Sequence, residues 1–241
     1  MARPVKTRRP RGSLSRDQVI ASALQLADQA GIDALSMPNL ARALDCGVMT
    51  LYGYVDNKDD LLDAIAHRGL ADLRLPRPLS REPAAVLLAW GRAMRDTLLA
   101  HPSLATIFLS HVVIGPGIFR GIEALLTGLQ RGGLPPPRAI HSIYAVLIYT
   151  TGFVAWELPR VHLQSEAEYA TAWRREFASL PPENFPLTAA VLAELPKLAN
   201  TEQFEHGLTA LVSGLIAVRT TRRGSVANRF RPSRRAATPS A

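Results

Sequence analysis

Apolar residues recur at intervals of three and four along nearly the whole chain, the spacing of one face of an α-helix. In "SRDQVIASALQLADQAG" the residues Val19, Ile20, Ala23, Leu24, Leu26 and Ala27 share one stripe, with Ser15 as N-cap and Gly31 as the stop. "SMPNLARAL" predicts a short helix capped by Ser36, with Pro38 in the first turn, where a missing N–H is no loss. Asp45-Cys46-Gly47 breaks that helix, "VMTLYGYV" predicts a second short one, and Lys58 to about Leu73 a longer one stopped by "LPRP". Further helices follow in "EPAAVLLAWGRAMRDTLLA", "SLATIFLSHVV", "GIFRGIEALLTGLQRGGL" and a long apolar stretch from Arg138 to about Leu158. "SEAEYATAWRREFASL" and "TAAVLAEL" are shorter. The last helix begins with Thr201 as N-cap and places Glu202 and Glu205 in its first turn, where the macrodipole favours acids. No alternating strand pattern exceeds four residues and no fixed repeat is present, so the expected fold is all-α. The "LPRP" break divides it into a small unit at 14–74 and a larger one at 80–220.

Charge changes this picture at the two ends. The net charge is +8, yet thirteen of the 28 basic residues lie in 1–16 and 219–241, which hold no acid, leaving 15 against 20 acids between them. A disordered basic arm at 1–13 and tail at 221–241 are expected. By composition alone such tails serve nucleic acid, an anionic membrane or plain solubility. An apolar share of 47% supports a sizeable core, no apolar run approaches the roughly 20 residues of a membrane span, and the basic N-terminus lacks the apolar segment of a secretory signal. The single cysteine, Cys46, excludes an internal disulfide, fits a reducing cytoplasm, and has no partners at metal spacing. The chain holds no HExxH, GxSxG, GxxxxGK[ST] or GxGxxG, and "IGPGIFRG" lacks the lysine and preceding strand of a phosphate loop, so the expectation is a protein that is not an enzyme.

Two short helices joined by a tight turn inside a three-helix unit are a candidate helix-turn-helix, in which the later helix enters the major groove of DNA. Spacing alone leaves a plain helical bundle open. The exposed residues of the later helix weigh against it: Leu51 and Val55 face the core, leaving Val48, Met49, Thr50, Tyr52 and Tyr54 without a structural role. Hydroxyls and helix-start N–H groups are phosphate ligands, and apolar side chains such as Val48 and Met49 read thymine methyls. Lys58 at the next helix start suits one further phosphate, and the arm suits the adjacent minor groove.

The stretch from Val19 to Ile65 resembles the DNA-binding domain of the Tet-repressor (TetR) family of bacterial transcription regulators. Gly31, Ala41, Leu44, "TLYGYV" and "NKDDLL" carry the resemblance. "GFVAWE", "PENFPLTAAVLAEL" and "FEHGLTALVSGL" look like the ligand-binding domain of its tetracycline-repressor-type members. The resemblance implies a cytoplasmic, Ω-shaped homodimer that binds a palindromic operator, most simply as a repressor, and leaves it when a small molecule enters the larger domain. Met37 and Pro38, Val48, Met49, Thr50, Tyr52, Tyr54 and Lys58 are then the DNA contacts. Several residues depart from the family pattern. Asp45 replaces a turn glycine, Gly47 an N-cap serine or threonine, and Pro38 a base-reading arginine, which implies a different operator; Gly53 and Tyr54 replace a bulkier aromatic and a histidine.

The family's pocket positions fall on Trp90, Met94, Phe108, His111, Leu125, Ile143 and Trp156, an apolar, aromatic lining with one titratable group. It suits a largely hydrophobic effector. Magnesium ligands of the family fall on Phe108 and Trp156, which cannot coordinate it, so neither a metal nor another cofactor is expected. Arg138 to Leu158 and "LTALVSGLIAV" are apolar nearly all round and require burial on more than one face. The family pairs these two helices with their symmetry mates, and Gly207 and Gly214 would allow close approach.

Overall fold

The structure is a computed structural model and describes residues 14–71, 73–76, 79–162 and 166–217. The basic arm and tail expected at 1–13 and 221–241 lie outside the described residues. Eleven α-helices and no strand are found among the described residues, as the periodicity predicts.

Helix starts have local causes. Helix α1 (Arg16–Ala30) opens with a capping box: Gln18 N donates to Ser15 Oγ at 3.2 Å and Ser15 N to Gln18 Oε1 at 2.9 Å. Gly31 ends it at φ 81°, a conformation glycine adopts without strain. Then come α2 (Met37–Ala43), α3 (Val48–Leu51) and α4 (Lys58–Ala71). Helices α5 (Pro83–Ala100), α6 (Pro102–Ser110), α7 (Pro116–Arg131), α8 (Pro136–His162) and α10 (Pro186–Val191) all begin at a proline, whose fixed φ suits the first helical position. Helix α9 (Glu166–Ala178) lies between α8 and α10, and α11 (Thr201–Ala217) comes last. The expected Thr201 cap is displaced by one residue. Thr201 is already helical, and Asn200 Oδ1 accepts from Gln203 N at 2.8 Å.

One apolar cluster runs from Val19 on α1 to Val212 on α11. Helix α8 is its axis, packed against α5, α6, α7 and α11. Contrary to the expectation that no apolar run is long enough, α8 could cross a membrane by length and composition, but Ile143, Val146, Thr150 and Val154 are buried inside the protein. Its opposite side carries exposed Tyr144, Ile148, Gly152 and Trp156 at helical spacing. On α11 the buried stripe is Phe204, Leu208 and Val212, and Gly214 is open. At Gly207, two turns earlier on the same helix, the space is filled. A Cβ there would meet the Tyr149 hydroxyl, which donates to Phe204 O at 2.9 Å, so this glycine serves the contact between α8 and α11 within the chain.

Two ion pairs tie α5 to its neighbours. Arg92 on α5 donates twice to Glu205 on α11, at 2.8 and 2.7 Å; this hydrogen bonding holds the Glu205 carboxyl below its usual range. The contribution is present at neutral pH and lost as pH falls through that lowered value, and it is small because the pair is half-exposed. Arg95 and Glu157 are buried, with Nε to Oε2 at 3.2 Å, Nη2 to Oε1 at 2.5 Å, and the guanidinium 5.0 Å from the Phe204 ring centre. Removing one partner strands a buried charge. Glu157→Ala should therefore cost about 3–5 kcal/mol in urea unfolding, and the double change Arg95→Met with Glu157→Leu much less. Equal losses in the two variants would show that the pair itself stabilises the fold.

Candidate nucleic-acid interface and interior cavity

Helix α2 is capped by Ser36, whose Oγ accepts from Asn39 N at 3.3 Å, while Asn39 Nδ2 donates to Ala34 O at 2.8 Å. The chain reverses at Asp45, held at φ 52°, with Cys46 N donating to Ala41 O at 3.0 Å. Aspartate tolerates this left-handed region better than most residues. Helix α3 is a single turn, pinned by the fully buried Leu51, and a further turn through Tyr54 N to Leu51 O at 2.9 Å leads to Val55. Asn57, which the sequence reading did not single out, caps α4 by accepting from Asp60 N at 2.9 Å. Its signal is the Asn-x-x-Asp spacing before an apolar run.

This framework presents Pro38, Met49, Thr50, Tyr52 and Lys58 to solvent, with Met49 80% exposed. Met37, Val48 and Tyr54 differ from the expectation. All three are half-buried against the core. Tyr54 in addition donates its hydroxyl to Leu14 O at 2.8 Å, and its own carbonyl accepts from Arg16 Nε at 3.2 Å. Its donor is spent inside the protein, fastening the chain segment that follows the basic arm. Helical spacing hid this, because Tyr54 sits in the turn beyond α3.

A cavity of about 670 Å³ lies among α4, α5, α6, α7 and α8. Of the expected pocket residues Trp90, Met94, Phe108, His111, Leu125 and Ile143 line it. Trp156 does not. It is exposed near the end of α8, its ring covered by the Arg160 guanidinium 4.0 Å away. The adjacent Glu157 is turned inward to Arg95. The lining also holds His67 and Leu70 of α4, Arg120 and Ile122 of α7, and Tyr144 and Leu147 of α8. More than one titratable group therefore faces the space. The run Ile118, Ile122, Leu125 was a legible signal for α7, whereas His67 had none. Among the described residues no cluster of three or more His, Cys, Asp or Glu could hold a metal.

Helix α6 connects cavity and reading unit. At its start Asp28 of α1 accepts from Ser103 N at 3.1 Å and from Ser103 Oγ at 2.6 Å, and meets His101 Nδ1 at 2.9 Å. One residue on, still in the first turn, Leu104 fills the space over Gly69 of α4, where a Cβ would lie 2.2 Å from Leu104 Cδ1. At its end Phe108 and His111 form cavity wall, with His111 Nε2 3.3 Å from Asp63 Oδ1 of α4. Asp28→Ala should lower stability by about 1–3 kcal/mol by leaving these donors unsatisfied, read as a shift of the urea midpoint at unchanged slope. No shift would show that the latch is replaced by water.

Comparison with known proteins agrees with this arrangement. Residues 19–65 match the family model described as bacterial regulatory proteins, tetR family, and residues 76–219 match the tetracyclin repressor-like C-terminal domain. The HTH-type transcriptional repressor DrrR1 of Streptomyces coeruleorubidus is 31% identical over 92% of this chain and 84% of its own length. Among solved structures, the Streptomyces coelicolor TetR family protein ActR in complex with actinorhodin superposes with a TM-score of 0.75 at 30% identity, covering 86% of this chain and 97% of ActR. BioQ with its double-stranded DNA operator gives a TM-score of 0.59 at 25% identity, covering 85% of this chain and 99% of BioQ. A one-turn reading helix, a helical body enclosing a cavity, and matches to both halves lead to one conclusion: the chain belongs to the tetR family of bacterial regulatory proteins.

Proposed function

We propose that this chain is a ligand-responsive repressor that binds its operator as a homodimer and leaves it when a largely hydrophobic effector fills the cavity. The α3 turn enters the major groove. Thr50 and Tyr52 donate to phosphates or base edges, Met49 packs on a thymine methyl with Val48 behind it, and Lys58 neutralises a phosphate. Pro38 with Met37 lies against the neighbouring backbone. Tyr54 acts from behind, holding the root of the arm. Two subunits pair through the exposed apolar side of α8 and through α11 near Gly214, placing two α3 turns about one duplex turn apart. The similarity to ActR with actinorhodin and to BioQ with its operator supports the two ligand classes.

The observation that carries the reading is α4. Its first residue, Lys58, belongs to the reading unit, and His67 and Leu70 belong to the cavity wall. At 14 residues it is about 21 Å long, short enough to move as a rigid lever. An effector that displaces the α6 end or the inner end of α4 reorients Lys58 and α3 together.

The test is fluorescence anisotropy with DNA from upstream of the chain's own gene against a scrambled fragment, at about 150 mM salt. A preference of about a thousandfold or more is expected, and equal binding to both fragments would count against sequence-specific regulation by this DNA. Tyr52→Phe should weaken operator binding by roughly three- to tenfold, the worth of one hydrogen bond, with an unchanged unfolding midpoint. Unaltered affinity would remove Tyr52 from the contact set. Ile148→Glu, on the exposed side of α8, should convert the protein to a monomer by light scattering; a dimer of undiminished strength would place the pairing surface elsewhere.

A further inference from the structure

The cavity's polar atoms are asymmetric in sign. Arg120 and the imidazoles of His67 and His111 line it, and no carboxylate does. Arg120 is exposed at the mouth and forms no ion pair or hydrogen bond among the described residues. It stands in the first turns of α7, whose N-cap, Gly115, brings no side chain to the first N–H groups, and Gly117 and Ile118 of that turn also line the cavity. His67 lies against the same turn: a Cβ on Gly115 would come 2.6 Å from its Nε2, and that buried nitrogen has no hydrogen-bond partner. A helix N-terminus, a guanidinium and an imidazole all favour a negative oxygen. Asp63, which meets the lining residue His111 at 3.3 Å, lies outside the lining itself. Trp90, also in the lining, is nine-tenths buried and its Nε1, a group that only donates, likewise lacks a partner. Burying such a donor unpaired is unfavourable until an acceptor arrives. The remaining wall, with Met94, Phe108 and Leu125, is apolar.

We propose that the effector is an apolar ring compound bearing an acidic group, whose anionic oxygens bind at the head of α7 between His67 and Arg120. Its ring body lies on Met94, Phe108 and Leu125, and an acceptor oxygen on that body meets Trp90 Nε1. This inference rests on the cavity being the effector site and adds the chemistry it selects. A cationic ligand would lose its hydration with no carboxylate in the lining to replace it. A neutral hydrocarbon would leave the Trp90 and His67 nitrogens unpaired.

The test is isothermal titration of the full-length protein with three tricyclic probes of one size: fluorene-2-carboxylate, its neutral isostere fluorene-2-carboxamide, and fluorenone-2-carboxylate. The carboxylate should bind at least about tenfold tighter than the carboxamide, as expected for a charge-assisted hydrogen bond. Arg120→Gln and His67→Phe should each reduce that preference, lowering carboxylate affinity by a larger factor than carboxamide affinity. The ketone of fluorenone-2-carboxylate should add a few-fold, an increment lost in Trp90→Phe, which keeps the ring and removes the donor. Gly121→Trp supplies the control: Gly121 lines the cavity, and a Cβ there meets nothing within 4 Å, so the indole can fill the space without disturbing the core. Equal binding of acid and amide, both blocked by Gly121→Trp, would overturn the acidic-ligand inference and leave the cavity as effector site. No binding of any probe, or binding indifferent to Gly121→Trp, would overturn both.

Discussion

The proposed switch depends on one mechanical constraint: a helix shared by the reading unit and the cavity wall cannot adjust at one end without the other. Helix α4 buries Leu61, Leu62, Ile65 and Ala66 against its neighbours and so cannot slide freely. Its seam with α6 is tight enough that Gly69 has no room for a side chain beside Leu104. Helix α6 in turn is fixed to α1 through Asp28 and carries Phe108 and His111 into the cavity. Close-packed interiors of this kind respond to a ligand by switching arrangement rather than by deforming smoothly. An effector acting through such a seam needs several kcal/mol of discrimination between the two arrangements to empty the operator.

The same economy shows in the reading unit. Helix α3 is one turn long, too short to be stable alone, and is held by Leu51 and by the turn that follows. Its exposed residues, Met49 and Thr50, are uncharged, so in the proposed reading attraction to DNA falls to Lys58 and the basic arm and the contacts of α3 discriminate. Tyr54 connects these two parts, since its hydroxyl holds the carbonyl of Leu14, the first described residue after the arm.

The helices were legible because their signals are local. Ser15, Ser36 and five starting prolines mark beginnings, and Gly31 marks an end, by properties of the residue itself. The cavity was legible in part. Trp90, Met94, Phe108, Leu125 and Ile143 follow from a resemblance that fixes register, but register does not fix which way a residue near a helix end turns. Trp156 turned outward and Glu157 inward, because a buried arginine on α5 needed the carboxylate. His67 was illegible for a different reason. Its place in the cavity arises from the Gly115 turn, 48 positions later in the chain. Gly207 is a similar case, since the contact its small size answers is a tyrosine on α8, distant in sequence.

The coupling through α4 is tested most directly by hydrogen exchange on the full-length protein with and without operator DNA, with no effector present. Binding at α3 should change exchange at both ends of α4, near Lys58 and near His67 to Leu70, and in α6 beside Phe108. A change confined to residues 48–58, with the cavity end of α4 and the whole of α6 unaffected, would contradict the account.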